Sequence, residues 1–241
     1  MPIETLNDAK LYMAGRDFSG QINALALAHG ADVKDAPVFG DKGIRRLSGL
    51  ADIALSHAGF FDAATVDADL HAIIGVDNVP VTAAPNDGAE GKPAYIFQAA
   101  HGSYAPGAEV GELFGYAVTA VGSGGDKLVK GTILGNGVET ATGNGTAFQV
   151  GAVGATQKLY AALHVFAVSG TTPTLDVTVE SDDASGFASA VTRITFVQKT
   201  AVGAEWATPI AGAITDDWWR IAFTIGGGSP SFTFIVTIGI I

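Results

Sequence analysis

The chain has 241 residues, with 13 Lys and Arg against 24 Asp and Glu, a formal net charge of −11 and no cysteine. That balance excludes disulfide and thiolate chemistry and argues against gripping nucleic acid, which needs clustered cations to displace counterions. Mean hydropathy is high at +0.32, yet the longest strongly apolar stretch, 232–241, is about half of the ~20 residues a membrane-spanning helix needs, so the surplus points to contacts between subunits.

The opening MPIETLNDAK lacks a basic region followed by an apolar core, so no secretory signal is expected. Leu11 and Met13, Leu25 and Leu27, and Ile53 and Leu55 then sit on alternating positions, the period of half-buried strands. Between INALALAH and ADIALSHAGFF lies a polar loop with Asp32, Lys34, Asp35, Asp41, Lys42, Arg45 and Arg46. Charge that dense, in a chain only 15% charged, is expected to form a contact surface. From Asp62 to Gly75 the period changes, with Val66, Leu70, Ile73 and Ile74 at i, i+4, i+7 and i+8. Asp62 or Thr65 is placed to cap this single helix and Gly75 to end it in the left-handed conformation.

Further strands are expected at 94–101, 113–121, 127–134, 158–168, 174–180, 191–198, 218–225 and 231–241. Gly122–Gly125 and Gly226–Gly228 read as hairpin connections. The Gly-, Thr- and Ala-rich stretch 135–156 carries little charge. It divides the chain into a first β domain, 1–138, a linker or arm, 139–157, and a second β domain, 158–241. Phe232, Phe234, Val236, Ile238 and Ile240 share one face of the last strand, which is therefore expected to be paired and buried.

Chemistry is sparse. His29, His57, His71, His101 and His164 have no metal-ligand spacing and no cysteine to complete a zinc site, so packing is the expected role. Ser123 lacks the first glycine of a nucleophile elbow, and Gly122–Lys127 lacks phosphate-loop spacing. Glu180, Asp182 and Asp183 cluster hard oxygen ligands without EF-hand spacing; an acidic turn is the commoner reading and no metal is expected. Asp216 and Asp217 beside Trp218 and Trp219 suggest a sugar platform, but adjacent strand residues face opposite ways, so one Trp is expected in the core. No catalytic residue and no cofactor are expected, and the chain does not read as an enzyme.

The ordered phrases Asp17-Phe18-Ser19-Gly20, Asp35-Ala36-Pro37-Val38-Phe39-Gly40-Asp41, Gly49-Leu50-Ala51-Asp52 and Gly59-Phe60-Phe61-Asp62 resemble the early hairpin of tail tube proteins of long, non-contractile-tailed bacteriophages. Leu163 to Asp183 and Trp219 to Phe234 resemble β domains common in phage virion proteins. The resemblance implies an all-β fold: a tail-tube-like β-sandwich or barrel with one short helix, followed by a second β-sandwich. It implies a virion protein, made in the bacterial cytoplasm, that polymerises into stacked rings as hexamers or pseudo-hexameric trimers. Double-stranded DNA would pass through without specific binding, tape measure and tail completion proteins would be partners, and no membrane insertion is implied. Asp32, Lys34, Asp35, Asp41, Arg45 and Arg46 would make the inter-ring contacts. The competing reading is a tail-tip or capsid-surface protein whose C-terminal domain binds a host glycan.

Overall fold

The computed structural model describes residues 8–241, so the reading of the first seven residues lies outside it. The strands are β1 (Lys10–Met13), β2 (Arg16–Asp17), β3 (Ile22–Asp35) and β4 (Arg46–Phe60), then the helix α1 (Val66–Ile73). There follow β5 (Val79–Ala84), β6 (Pro93–Gly107), β7 (Gly115–Gly122), β8 (Val129–Glu139), β9 (Gly143–Asn144) and β10 (Phe148–Gln149). The last are β11 (Lys158–Asp182), β12 (Val191–Thr195), β13 (Gly203–Trp206), β14 (Ile210–Ala211) and β15 (Trp218–Ile240). The fold is all-β with one short helix, as the composition of alternating segments predicts.

Two compact units emerge. The first comprises the described residues up to Gly20, Val79–Gln98 and Val129–Ile241; the second comprises Gln21–Asn78 and Ala99–Leu128. β6 contributes its first half to one and its second half to the other.

In the first unit the strand order is β12-β11-β15-β8-β6-β5-β1-β2. β11 and β15 pair along their whole lengths, from Leu159 opposite Ile240 to Asp182 opposite Trp218. One face of this pair places Leu159, Leu163, Val165, Phe232, Phe234, Val236 and Ile238 in a core with Val177, Trp219 and Ile221. The other face of β15 is buried too: Ile235 packs with Tyr12, Ala84, Ala94 and Ile133. The final strand is thus central and covered on both sides, which is why its sequence is nearly continuous apolar residue.

Three expectations change here. Gly226–Gly228 is not a hairpin connection but lies inside β15, with Gly226 opposite Thr174 and Gly228 opposite Thr171 across bulges that bend both strands together. Gly227 has φ +113°, and a Cβ there would meet the Thr171 and Thr172 carbonyl oxygens at 2.8 Å, so close approach and left-handed backbone both demand glycine. Gly122–Gly125 joins β7 to β8, which do not pair with each other, so it is a connector rather than a hairpin turn. Residues 139–157 contain β9 and β10, both paired with β15, and the Trp219 indole donates to the Gly151 carbonyl at 2.8 Å. Small residues here permit close packing against the sheet, a use that low charge and many glycines share with a linker.

In the second unit the order is β3-β4-β7 followed by the second half of β6. Its buried residues include Ile53, Leu55, His57, Tyr116, Val118 and Ala120 from the strands and Val66, Leu70 and Ile73 from α1. Of the two cap positions read from the sequence, the helix uses Thr65 and begins at Val66. The Asp62 carboxylate accepts from Ala64 N in a turn before α1 (2.8 Å), and Thr65 occupies the cap position without a side-chain hydrogen bond. Gly75 follows with φ +75°, as expected, whereas Ile74 is exposed rather than part of the buried stripe.

Candidate assembly surface

β4 pairs with β7 only over Ala54–Phe60. Beyond that, among the described residues, β3 and β4 pair solely with each other as far as Asp35 opposite Arg46, forming a two-stranded arm that runs about 25 Å past the sheet before its 36–45 loop. The charged stretch read as one loop is thus mostly ladder. Asp32, Lys34, Asp35 and Arg46 sit on strands, while Asp41 and Arg45 sit in the loop. Strand pairing needs no apolar alternation when both faces are wet, so periodicity gave no sign of it.

The six residues form three pairs: Lys34 with Asp32 (2.7 Å), Arg45 with Asp41 (3.4 Å) and Arg46 with Asp35 (3.2 Å). At the tip, Val38 N donates to the Asp41 carboxylate (3.0 Å) and Asp41 N to the Val38 carbonyl (3.1 Å), so the turn is organised. The same arm exposes Val33, Val38, Phe39, Ile44, Leu47 and Leu50, with Phe39 at 110% and Leu50 at 89%. Exposed ion pairs contribute about 0–1 kcal/mol each. Full burial of an aliphatic or Phe side chain is worth about 1.5–3 kcal/mol. On these magnitudes the exposed apolar side chains of the arm outweigh its ion pairs as a source of free energy on burial. A two-stranded ribbon is marginal alone in water, and apolar groups grouped on one mark an interaction site.

The sheet behind the arm has an unusual outer face. Ala24, Ala26 and Ala28 of β3 lie opposite Ala58, Ser56 and Ala54 of β4. These lie in turn opposite Ala117, Thr119 and Val121 of β7. The Ser103 and Thr119 hydroxyls are 2.6 Å apart on the same face. These positions are uncharged and, Val121 apart, small, and no Lys or Arg stands among them; Asp52 lies toward the arm. Among the described residues β3 pairs only with β4 and its outer edge has no partner strand, an arrangement that monomers usually blunt. Leu25 and Leu27, half-buried, mark the opposite face of β3, and the exposed alanines between them mark this one.

The inner face holds an unexpected polar cluster. His57 and His101 are buried, the His57 ring meets Tyr116 edge-on at 5.8 Å, and the Tyr104 hydroxyl donates to Asp67 of α1 at 2.8 Å. Burial lowers the pKa of His57 to about 4, with the nearby His101 adding to the effect, and burial lowers His101 to about 4. Burial also raises Tyr104, as does its bond to Asp67. A histidine held neutral in the fold but titrating near 6.5 when unfolded stabilises fully above pH 6.5. That stability is lost as the pH falls toward 4, because the unfolded chain binds the extra protons. The expected loss is of the order of 3 kcal/mol per residue. Urea melts at pH 7.5 and 4.5 should show it, and His57→Leu should remove a measurable part of the difference; an unchanged difference would discount this residue. His29 and His71 are exposed. His164, in the first unit, is buried with Thr82 Oγ1 at 3.0 Å from Nε2.

The acidic loop of the first unit is spoken for. Glu180 pairs with Arg220 (2.9 Å), whose guanidinium lies 4.3 Å from the Phe187 ring centroid. Burial opposes charge on Asp182, but hydrogen bonds from Ser189 and Ala184 outweigh it and hold the carboxyl below the usual range. Asp216 accepts from Ser181 (2.7 Å) and Arg193 (2.8 Å). Among the described residues no group of three or more His, Asp or Glu is arranged to hold a metal. Trp219 is buried and Trp218 partly so, which leaves at most one ring for a sugar face. Among the described residues no helix is long and apolar enough to cross a membrane.

No protein-family model matches the chain, and no curated protein does. Among solved structures, it is similar to a chain of the virion of a native gene transfer agent particle, at 14% identity and a TM-score of 0.44 over 52% of this chain and 98% of that one. It is also similar to a chain of an extracellular contractile injection system sheath–tube complex, at 12% identity and a TM-score of 0.39, over 54% of this chain and 92% of that one. Similarity to the SPP1 Dit protein, from a phage infecting Gram-positive bacteria, is 10% in identity with a TM-score of 0.36, over 97% of this chain and 99% of that one.

Proposed function

We propose that this chain is a self-assembling structural protein of a phage-type tail, whose copies stack into a tube that conducts double-stranded DNA. The observation that carries the reading is the β3–β4 arm, a ribbon with six exposed large apolar residues and ordered ion pairs, projecting beside an open strand edge. The open edge of β3 suits lateral pairing between copies, and the arm suits contact with the next layer. The Ala, Ser and Thr face suits the channel wall, because DNA meets no Lys or Arg there and no counterions are released. Low friction on this account comes from missing cations more than from acidic side chains. The four lysines that would oppose sliding, Lys10, Lys127, Lys130 and Lys158, are absent from that face. Tape measure and tail completion proteins would be the partners, and the rings would be hexamers or pseudo-hexameric trimers. The first unit, which holds residues 158–241, would serve as outward decoration or a second ring-forming unit, and the chain would reside in the virion.

The glycan-binding reading draws on Trp218 and the polar groove formed by Thr142, Asn144, Asp176, Thr178 and Thr224. Negative-stain microscopy of the purified protein separates the two. Rings or tubes are expected; discrete oligomers that bind cell-wall polysaccharide would favour the second reading instead.

A further inference from the structure

The two ends of the second unit's sheet expose apolar side chains beside unpaired charges, and the charges are opposite in sign. β4 runs from the arm to Phe60, and β7 starts at Gly115 opposite Phe60. β6 ends at Gly107, also opposite Gly115. The loop 108–114, which joins β6 to β7, therefore lies at the end of the sheet opposite the arm. This loop exposes Val110 (107%), Leu113 (76%) and Phe114, whose ring sits 4.5 Å from that of Phe61. Glu109 and Glu112 stand among them with no ion-pair partner among the described residues. At the arm tip, Phe39, Val38 and Ile44 surround Lys42, which likewise has no ion-pair partner among the described residues. Residues 30–49 hold four cations against three carboxylates, an excess of positive charge in a chain of net −11.

We propose that the arm tip of one copy docks on the 108–114 loop of a second copy, with Lys42 facing Glu109 and Glu112 and the apolar side chains of both patches closing over each other. The proposal rests on the self-assembly reading above and names its receiving surface. Two different patches at opposite ends make a head-to-tail contact, which repeats along an axis instead of closing as a pair. Charge complementarity selects the pairing: loop against loop would oppose carboxylates, whereas tip against loop neutralises them.

Charge exchange tests it. All three side chains are exposed, so Lys42→Glu and the Glu109→Lys/Glu112→Lys double variant should match the parent in circular dichroism and thermal melting. Each should raise the protein concentration needed for assembly at least tenfold, and combining them should restore it to within about threefold of the parent. The cysteine-free chain allows a second readout. A mixture of Phe39→Cys and Leu113→Cys variants, treated with a bismaleimide, should give mixed cross-linked dimers, while Phe39→Cys alone gives none. Assembly of Glu109→Lys/Glu112→Lys at the parental concentration, or cross-linking of Phe39→Cys to itself, would overturn the proposal. Shortening the arm keeps the two levels distinct. If it blocks assembly while the loop variant assembles, the self-assembly reading stands without this receiver; if the shortened arm still assembles, the arm is not the contact and this docking is lost while self-assembly stands.

Discussion

Replacing residues 32–50 by a two-residue Asn-Gly turn should leave a folded protein that no longer assembles at any attainable concentration. The turn closes the ladder next to the Ala31–Ala51 pair, and Asn-Gly supplies the left-handed residues that a tight hairpin needs. Nothing buried is lost, because the removed residues are exposed or, at Ala36, half-buried. Thermal stability should therefore stay within a few degrees of the parent. Sedimentation velocity checks the association state, and higher oligomers persisting in the shortened protein would remove the arm from the assembly interface. The Arg45→Glu/Arg46→Glu variant is the milder form. It breaks pairs worth about 0–1 kcal/mol each in the monomer, but the defect recurs at every copy, so assembly should fail while the fold survives.

Deleting residues 232–241 should unfold the first unit. The segment lies between β11 and β8, and Phe232, Phe234, Ile235, Val236 and Ile238 are buried within it. Truncating one such side chain costs about 2–5 kcal/mol, and a domain's whole stability is about 5–15 kcal/mol. Phe234→Ala alone should already lower the urea midpoint clearly; its ring meets Phe223 edge-on at 5.6 Å. The deleted chain should aggregate or lose cooperative unfolding by circular dichroism. A cooperative transition at the parental midpoint would contradict the central placement of β15.

Much of this architecture was legible because period two survives wherever one sheet face is buried. Leu11 and Met13, Ile53 and Leu55, and the alternating apolar residues of β11 and β15 fall where alternation puts them. Reading failed where the same residue types serve two geometries. Glycines at 226–228 signal a turn in most contexts, but opposite Thr171–Thr174 they let two paired strands bend without parting. The arm was read as a loop because a ribbon wet on both faces carries no hydrophobic period. At the candidate site the charged residues were visible as a dense cluster, but not their pairing. The Ala and Ser face was missed because small residues contribute little to hydropathy. The 108–114 loop, GAEVGELFG with its flanking glycines, looks like an ordinary connection until register places it at the end opposite the arm.

In the proposed assembly, copies stack head to tail through the arm around a wall of small uncharged side chains. Cryo-electron microscopy of the assembled protein measures this directly. The expected reconstruction has an axial channel with Ala26, Ser56, Ser103 and Thr119 on its wall and each arm reaching the next layer. A reconstruction with those residues on the outer surface, or with no channel at all, would contradict it.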